Sequence, residues 1–160
     1  CANLICQNAA VSACGRGGQW RMALQLAAAA RQLGLRPDAA TRGAAIAACA
    51  ERGAWARALA LLAGMRRSTI PPNVITYNAA ISACEKGEHW LRALLLLRAM
   101  QSTRRVGAAL DPNTVTFSAS ISACEKTRVW KQTLDLLVEM RGFGLRPNVI
   151  SCSAAVSACE

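Results

Sequence analysis

Aromatic residues are scarce in this 160-residue chain, at 4%, while apolar residues as a whole reach 53%. A core poor in aromatics and rich in Ala and Leu predicts closely packed helices, because strands draw on β-branched and aromatic side chains. Histidine occurs once, as His89, and no Cys-x-x-Cys is present, so the eight cysteines offer neither a zinc site nor a disulfide framework. Without disulfides, the chain suits a reducing compartment. Long apolar runs are missing: "ALLLLRAM" is broken at Arg98, so nothing approaches the ~18 residues of a membrane span. Acidic residues are few, 9 against 19 basic, which leaves a formal charge of +10 and makes a polyanion a plausible partner. No Ser/His/Asp set, metal cluster, Gly-rich phosphate loop or facing pair of carboxylates can be assembled, so no enzyme and no cofactor are expected. The chain opens with Cys1 rather than Met and is expected to be cut from a longer protein, which leaves targeting signals unread.

What the sequence does have is a period. Cysteines fall at Cys14, Cys49, Cys84, Cys124 and Cys159, and each of Trp20, Trp55, Trp90 and Trp130 follows its cysteine by six residues. "LRPD" at 35–38, "IPPN" at 70–73, "LDPN" at 110–113 and "LRPN" at 145–148 keep step. Three markers sharing a period of about 35 mean stacked units of one supersecondary motif. The units run about 4–38, 39–73, 74–113 and 114–148, with the first helix of a fifth at 149–160. The third unit is five residues longer, and "STRRVGAAL" before its Pro is expected to be a loop insertion.

Each unit contains two helical patterns. The second is marked by Trp55, Ala58, Leu59, Leu62 and Met65, by Trp90, Ala93, Leu94, Leu97 and Met100, and by Trp130, Leu134, Leu137 and Met140. The tryptophans head this apolar line and are expected to wedge between helices, and the periodic cysteines to be small packing residues. Gly87 and the run 15–18 mark the turn between helices, and the Asp or Asn after each Pro starts the next helix as a cap. His89, beside Trp90, is expected to be a surface or capping residue. The first helix carries an apolar line, Tyr77, Ile81 and Cys84, repeated as Phe117, Ile121 and Cys124. Beside it runs a small polar line: Ile75, Asn78, Ser82 and Glu85, repeated as Val115, Ser118, Ser122 and Glu125 and begun in the first unit by Ile5, Asn8 and Ser12. Such a face buries little but can receive something flat and polar, and stacking aligns it into one surface.

Units of 35 residues beginning "VITYNAAISAC", continuing "WxxALxLLxxM" and ending "LRPN" resemble the pentatricopeptide repeat family. The resemblance spans nearly the whole chain and is weakest in the second unit, where Arg42, Gly43 and Ala47 stand in place of an aromatic, Asn and Ser. It implies a right-handed superhelical α-solenoid, all-α, with first helices on the concave side. It also implies modular binding of single-stranded RNA, one base per repeat read by two or three side chains.

In that family one base-reading residue lies early in the first helix and its partner is the last residue of the repeat. Carried over, Asn8 with Asp38 implies uridine, and Gly43 with Asn73 implies no definite base. Asn78 with Asn113 implies cytidine, Ser118 with Asn148 implies adenosine, and Ser153 begins a fifth reading. The implied core is 5′-UNCA-3′. Ile5, Ala40, Ile75, Val115 and Ile150 are implied to flank the bases, with Ala40 offering less surface than the others. Arg16, Lys86 and Lys126, with Arg52 beside Glu51 in the second repeat, are implied to meet phosphates.

Family members act in RNA stabilisation, processing, editing or translation in a mitochondrion or plastid, in company with other proteins of RNA-processing or ribosomal assemblies. The alternative is a protein-binding α-solenoid, a scaffold or structural subunit, because Asn and Asp after Pro also serve as caps and four and a half repeats read few bases. No membrane contact is expected.

Overall fold

Residues 4–32, 38–68, 70–105 and 110–158 are described here, in a computed structural model. Among them the chain forms α1 (Leu4–Arg16), α2 (Trp20–Gln32), α3 (Ala39–Glu51), α4 (Trp55–Arg67), α5 (Val74–Lys86), α6 (Trp90–Arg105), α7 (Thr114–Lys126), α8 (Trp130–Gly142) and α9 (Val149–Ser157). The odd-numbered helices are the first of each pair. Four of them start on a side-chain cap: Asp38, Asn73, Asn113 and Asn148 hold extended backbone and accept from the amides of Thr41, Thr76, Thr116 and Ser151. From Asn73 onward the hydroxyl also accepts from the cap's own amide, closing a capping box. Each cap is worth about 1 kcal/mol. The second helices α4 and α8 begin at Ala54 and Val129 without a side-chain cap, so packing must hold them.

The turn inside each pair places one residue in the left-handed region: Gly18 at φ 69°, Gly53 at 63°, Glu88 at 60° and Arg128 at 56°. Glycine adopts this conformation freely, whereas Glu88 and Arg128 carry a strain of about 1 kcal/mol each. The run 15–18 is only partly a turn. Gly15 lies within α1, where a Cβ would come within 3.0 Å of the Ala48 side chain. It marks the close approach of α1 to α3.

Those approaches organise the molecule. α1, α3, α5, α7 and α9 pack successively into one continuous layer, and each second helix lies on its own partner and on the first helix that follows. Among the described residues the second helices do not pack backbone to backbone; long side chains bridge them, as where Arg98 Nη1 meets Glu139 Oε1 at 2.6 Å. This is an all-α solenoid. Its core repeats with the sequence: Val11, Ile46, Ile81 and Ile121 are fully buried, as are Cys49, Cys84, Cys124, Met65, Met100 and Met140. Burying one such aliphatic side chain stabilises by about 1.5–3 kcal/mol. Buried Ala58 and Ala93 are small enough to let the helices come together.

Two expectations need amendment. The first concerns Trp130, which is 46% exposed and not wedged, whereas Trp55 is gripped by the next repeat. There the His89 ring meets it edge-on at 4.2 Å and Arg92 lies 4.0 Å over its face, so His89 is more than a surface residue. No turn among the described residues covers Trp130 in that way. The second concerns "STRRVGAAL", which is not wholly a loop: α6 continues through Arg105, with Ser102 and Thr103 hydroxyls returning to the Ala99 carbonyl. No Gly or Pro interrupts it before Gly107, and residues 106–109 lie outside the described residues. The second repeat departs as its sequence indicates: Arg42 stands where Tyr77 and Phe117 bury an aromatic ring, and it donates to Ser68 Oγ at 2.7 Å. Beside Arg42 lies an open groove of about 310 Å³ walled by Leu24, Ala45, Leu61 and Gly64. Among the described residues no helix is long and apolar enough to cross a membrane.

Candidate nucleic-acid interface

The caps have a second set of partners. Asn113 Oδ1 accepts from the Thr116 amide at 3.0 Å, and Asn78 Nδ2, on the preceding first helix, donates to the same oxygen at 3.3 Å. Asn8 Nδ2 approaches Asp38 Oδ1 at 3.4 Å, and Ser118 Oγ donates to Asn148 Oδ1 at 3.3 Å. Three residue pairs expected from the sequence to act together are therefore in contact. In the second repeat the pair is not joined, since Gly43 has no side chain to reach Asn73. Ser153 turns its hydroxyl to the Ile150 carbonyl within its own helix.

Because the cap consumes Oδ1, the other terminal atom decides what each pair offers outward. Asn113 keeps Nδ2, a donor. Asp38 Oδ1 accepts from Asn8 and from the Thr41 amide, with the Thr41 hydroxyl oxygen 2.8 Å away, leaving Oδ2 as an acceptor. The Thr41 amide is the main reason the Asp38 carboxyl is held below its ordinary value; partial burial opposes it, and the Asn8 side chain and Ala40 amide assist. Asp38 is thus ionised at neutral pH. Asn78 with Asn113 presents donors, Asn8 with Asp38 a donor and an acceptor, and Ser118 with Asn148 a hydroxyl and a donor. Ser118 is only 8% exposed, so its hydroxyl lies deep.

Aliphatic side chains stand beside these pairs. Ile75 is 70% exposed, and Val115 and Ile150 are each 60% exposed, which core residues would not be. Ala40 is exposed but short. Asn78, Ser82, Val115, Ser118, Asn148 and Ile150 line one cleft of about 330 Å³ across three successive first helices. Asn78, Ser82, Glu85, Val115, Ser118 and Ser122 of the polar line read from the sequence lie in this cleft.

The basic residues are less free than their spacing implies. Lys86 Nζ lies 2.9 Å from Glu51 Oε2, and Lys126 Nζ lies 3.0 Å from Glu85 Oε1, so each ammonium is paired with the preceding repeat. Both pairs remain partly exposed and weak. The Arg52 guanidinium lies against Gly18, where its Nε would come within 2.8 Å of a Cβ. The side chains of Ile5 and Arg16 lie outside the described residues. No cluster of metal-ligating side chains occurs among the described residues.

Sequence reasoning missed Thr41, Thr116 and Ser151, whose buried hydroxyls contact the capping side chains. Their signal was present: a hydroxyl residue follows each Asp or Asn cap by three places, at the same register in four units.

Sequence comparison matches residues 25–86 to the pentatricopeptide repeat domain and residues 75–103 to the PPR repeat. No curated protein matches. The fold is similar to the crystal structure of the pentatricopeptide repeat protein PPR10 from maize, with TM-score 0.82 and 20% identity over 99% of this chain and 22% of that one. PPR10 in complex with an 18-nt psaJ RNA element matches with TM-score 0.81 and 24% identity over 98% of this chain and 22% of that one. The nuclear proteinaceous RNase P 2 from A. thaliana matches with TM-score 0.78 and 16% identity over 95% of this chain and 34% of that one. The chain therefore spans between about a fifth and a third of the length of these structures.

Proposed function

The chain belongs to the pentatricopeptide repeat family, and on that footing we propose that it binds single-stranded RNA with one base opposite each repeat. Family arrays of this kind bind RNA through paired side chains. The observation that carries the reading is the direct contact within the pairs Asn8–Asp38, Asn78–Asn113 and Ser118–Asn148.

The hydrogen-bonding polarity of each pair favours a different Watson–Crick edge. Donors from Asn78 and Asn113 suit the adjacent N3 and O2 acceptors of cytosine. The Asp38 carboxylate suits the N3–H of uracil, with Asn8 donating to a carbonyl beside it. Asn148 Nδ2 suits the N1 acceptor of adenine, with Ser118 as the weaker partner. Gly43 with Asn73 leaves the second position undetermined, so the core is 5′-UNCA-3′. Ile75, Val115 and Ile150, with Ala40 and Ile5 at the matching positions, would flank the bases. Lys86, Lys126, Arg52 and Arg16 would supply the salt-dependent backbone contribution, the two lysines by exchanging a glutamate for a phosphate. By family resemblance the module would serve RNA stabilisation, processing, editing or translation in a mitochondrion or plastid, alongside other proteins of such assemblies. The repeats would lie at about 4–38, 39–73, 74–113 and 114–148, with a fifth begun at 149–160.

Fluorescence anisotropy with labelled RNAs containing UACA, UGCA or a scrambled core, at low and moderate salt, tests this. A preference for both UNCA probes that persists at moderate salt supports base reading. Binding that ignores sequence and vanishes with salt reduces the role to a basic surface. No binding at either salt favours a protein-binding scaffold.

A further inference from the structure

We propose that the hydroxyl residue at the third position of a first helix is a positioning residue for the reading pair of the repeat before it. The inference rests on the base-reading function above and concerns Thr116 and Thr41. Thr116 is fully buried and cannot touch RNA. Its Oγ1 lies 2.6 Å from Asn78 Oδ1 and 3.0 Å from Asn113 Oδ1, and it accepts from the Asn113 amide at 3.0 Å. One buried hydroxyl thus touches both halves of the pair in the preceding repeat.

A threonine hydroxyl has a single proton, and the geometry says where it goes. Both oxygens lie within the O–H···O range of about 2.5–3.0 Å. The 2.6 Å separation from Asn78 is the shorter and is too short for an amide N–H donating to oxygen, about 2.9 Å, so it is the one that needs the hydroxyl proton. Asn78 Oδ1 is therefore the acceptor, and its Nδ2 is turned toward Asn113 and the cleft. Rotating that amide by half a turn would lose the hydroxyl bond and bring two carbonyl oxygens together where Nδ2 and Oδ1 now stand 3.3 Å apart. Without the hydroxyl the two orientations become similar in energy, and the pair would offer either a donor or an acceptor to the base. Thr41 repeats the arrangement, with Oγ1 at 2.5 Å from Asn8 Oδ1 and 2.8 Å from Asp38 Oδ1.

The second repeat is a built-in control. Thr76 caps Asn73 through the same box, but Gly43 offers no amide to hold, and the Thr76 hydroxyl donates instead to the Asn73 backbone carbonyl at 2.8 Å. Capping alone therefore does not require the hydroxyl to touch a reading side chain. Where a reading Asn precedes it, the hydroxyl turns to that Asn.

The test measures binding of single-stranded RNAs that differ only in cytidine or uridine opposite the third repeat, with wild type, Thr116→Val, Thr116→Ser and Thr76→Val. Losing one neutral hydrogen bond predicts a fall in the cytidine preference of about five- to tenfold in Thr116→Val, with the preference at the first nucleotide intact. Thr116→Ser should keep the wild-type ratio. Thr76→Val, which loses the same capping bond, should also keep it. Should Thr116→Val fail to fold, Thr41→Val carries the same test to uridine opposite the first repeat. An unchanged ratio in a folded Thr116→Val overturns the positioning role, as does an equal loss in Thr76→Val. A wild type with no preference at either nucleotide overturns the base-reading function itself, and the positioning role with it.

Discussion

Asn78 Nδ2 lies 3.3 Å from Asn113 Oδ1 although 35 residues separate them, so the last residue of one repeat and the fifth of its first helix form one hydrogen-bonding unit. Because Oδ1 of Asn113 is held by the Thr116 amide, replacing Asn113 with Asp changes only the outward atom, from donor to acceptor. Asn113→Asp should therefore move the third nucleotide's preference from cytidine to uridine. A shift of about tenfold or more in the ratio is expected, in line with the 1–3 kcal/mol of a good base contact. Asp caps as well as Asn, so the melting temperature should hardly move. Anisotropy titration with the two RNAs reads the first, and thermal unfolding by circular dichroism the second.

Gly43 leaves the second repeat without half of its pair. A Cβ there would meet only Thr76 Cγ2, at an ordinary 3.6 Å, so a side chain can begin there without a clash. Gly43→Asn should let Thr76 turn its hydroxyl to the new amide and give the second nucleotide a cytidine preference. The helix should gain as well, since glycine in a helix interior costs about 1 kcal/mol. Titration against RNAs varied at that one nucleotide checks it, and equal affinity for all four would sink the idea.

Most of the fold was legible because each repeat restates the last. Cys49, Cys84 and Cys124, Met65, Met100 and Met140, and the caps Asn73, Asn113 and Asn148 all stand where their periodicity puts them. The polar line of the third and fourth units lines a cleft for the same reason. What could not be read depends on contacts between repeats. The pairing of Lys86 with Glu51 and of Lys126 with Glu85 joins residues 35 and 41 apart, and no helical periodicity reports it. Trp130 has the same spacing as Trp55, yet its exposure depends on what the following repeat lays over it. Thr116 was overlooked because its hydroxyl satisfies a capping pattern by itself, which hides its bond to Asn78.

The turn residues offer a stability test separate from RNA. Glu88 and Arg128 hold φ of 60° and 56°, where Gly18 and Gly53 stand in the earlier turns. Glu88→Gly and Arg128→Gly should each stabilise by about 0.5–1 kcal/mol, the left-handed strain relieved less the greater chain entropy of glycine. Urea unfolding with an unchanged m-value checks this. A loss of stability in both variants would mean that these side chains make contacts outweighing the strain.

Lys126 is held by Glu85 before any RNA arrives. Glu85→Gln should free its ammonium for phosphate, raising RNA affinity about two- to fivefold at low salt, the range of a weak exposed ion pair. The slope of log affinity against log salt should steepen by about 0.7, one extra phosphate on a single strand. An unchanged slope would place Lys126 away from the backbone of the bound RNA.

The buried thiols give a prediction that turns on pH. Burial pushes Cys84 and Cys124 up from 9.0 to about 11, with Arg92 pulling Cys84 slightly back, and raises Cys49 in the same direction. In the unfolded chain these thiols ionise near 9, so the native state binds more protons between the two values. Stability should be fully present below about pH 9 and fall as pH rises toward 11, by about 2–3 kcal/mol for each of Cys84 and Cys124. The thiolate is the nucleophile, so these side chains should resist alkylation at pH 8 until the protein unfolds, while exposed Cys6 and Cys152 react at once. Mass spectrometry after brief iodoacetamide treatment, with and without urea, separates the two classes. Rapid native labelling of Cys84 or Cys124 would show that the first-helix layer opens locally, and the alkaline loss of stability should then shrink with it.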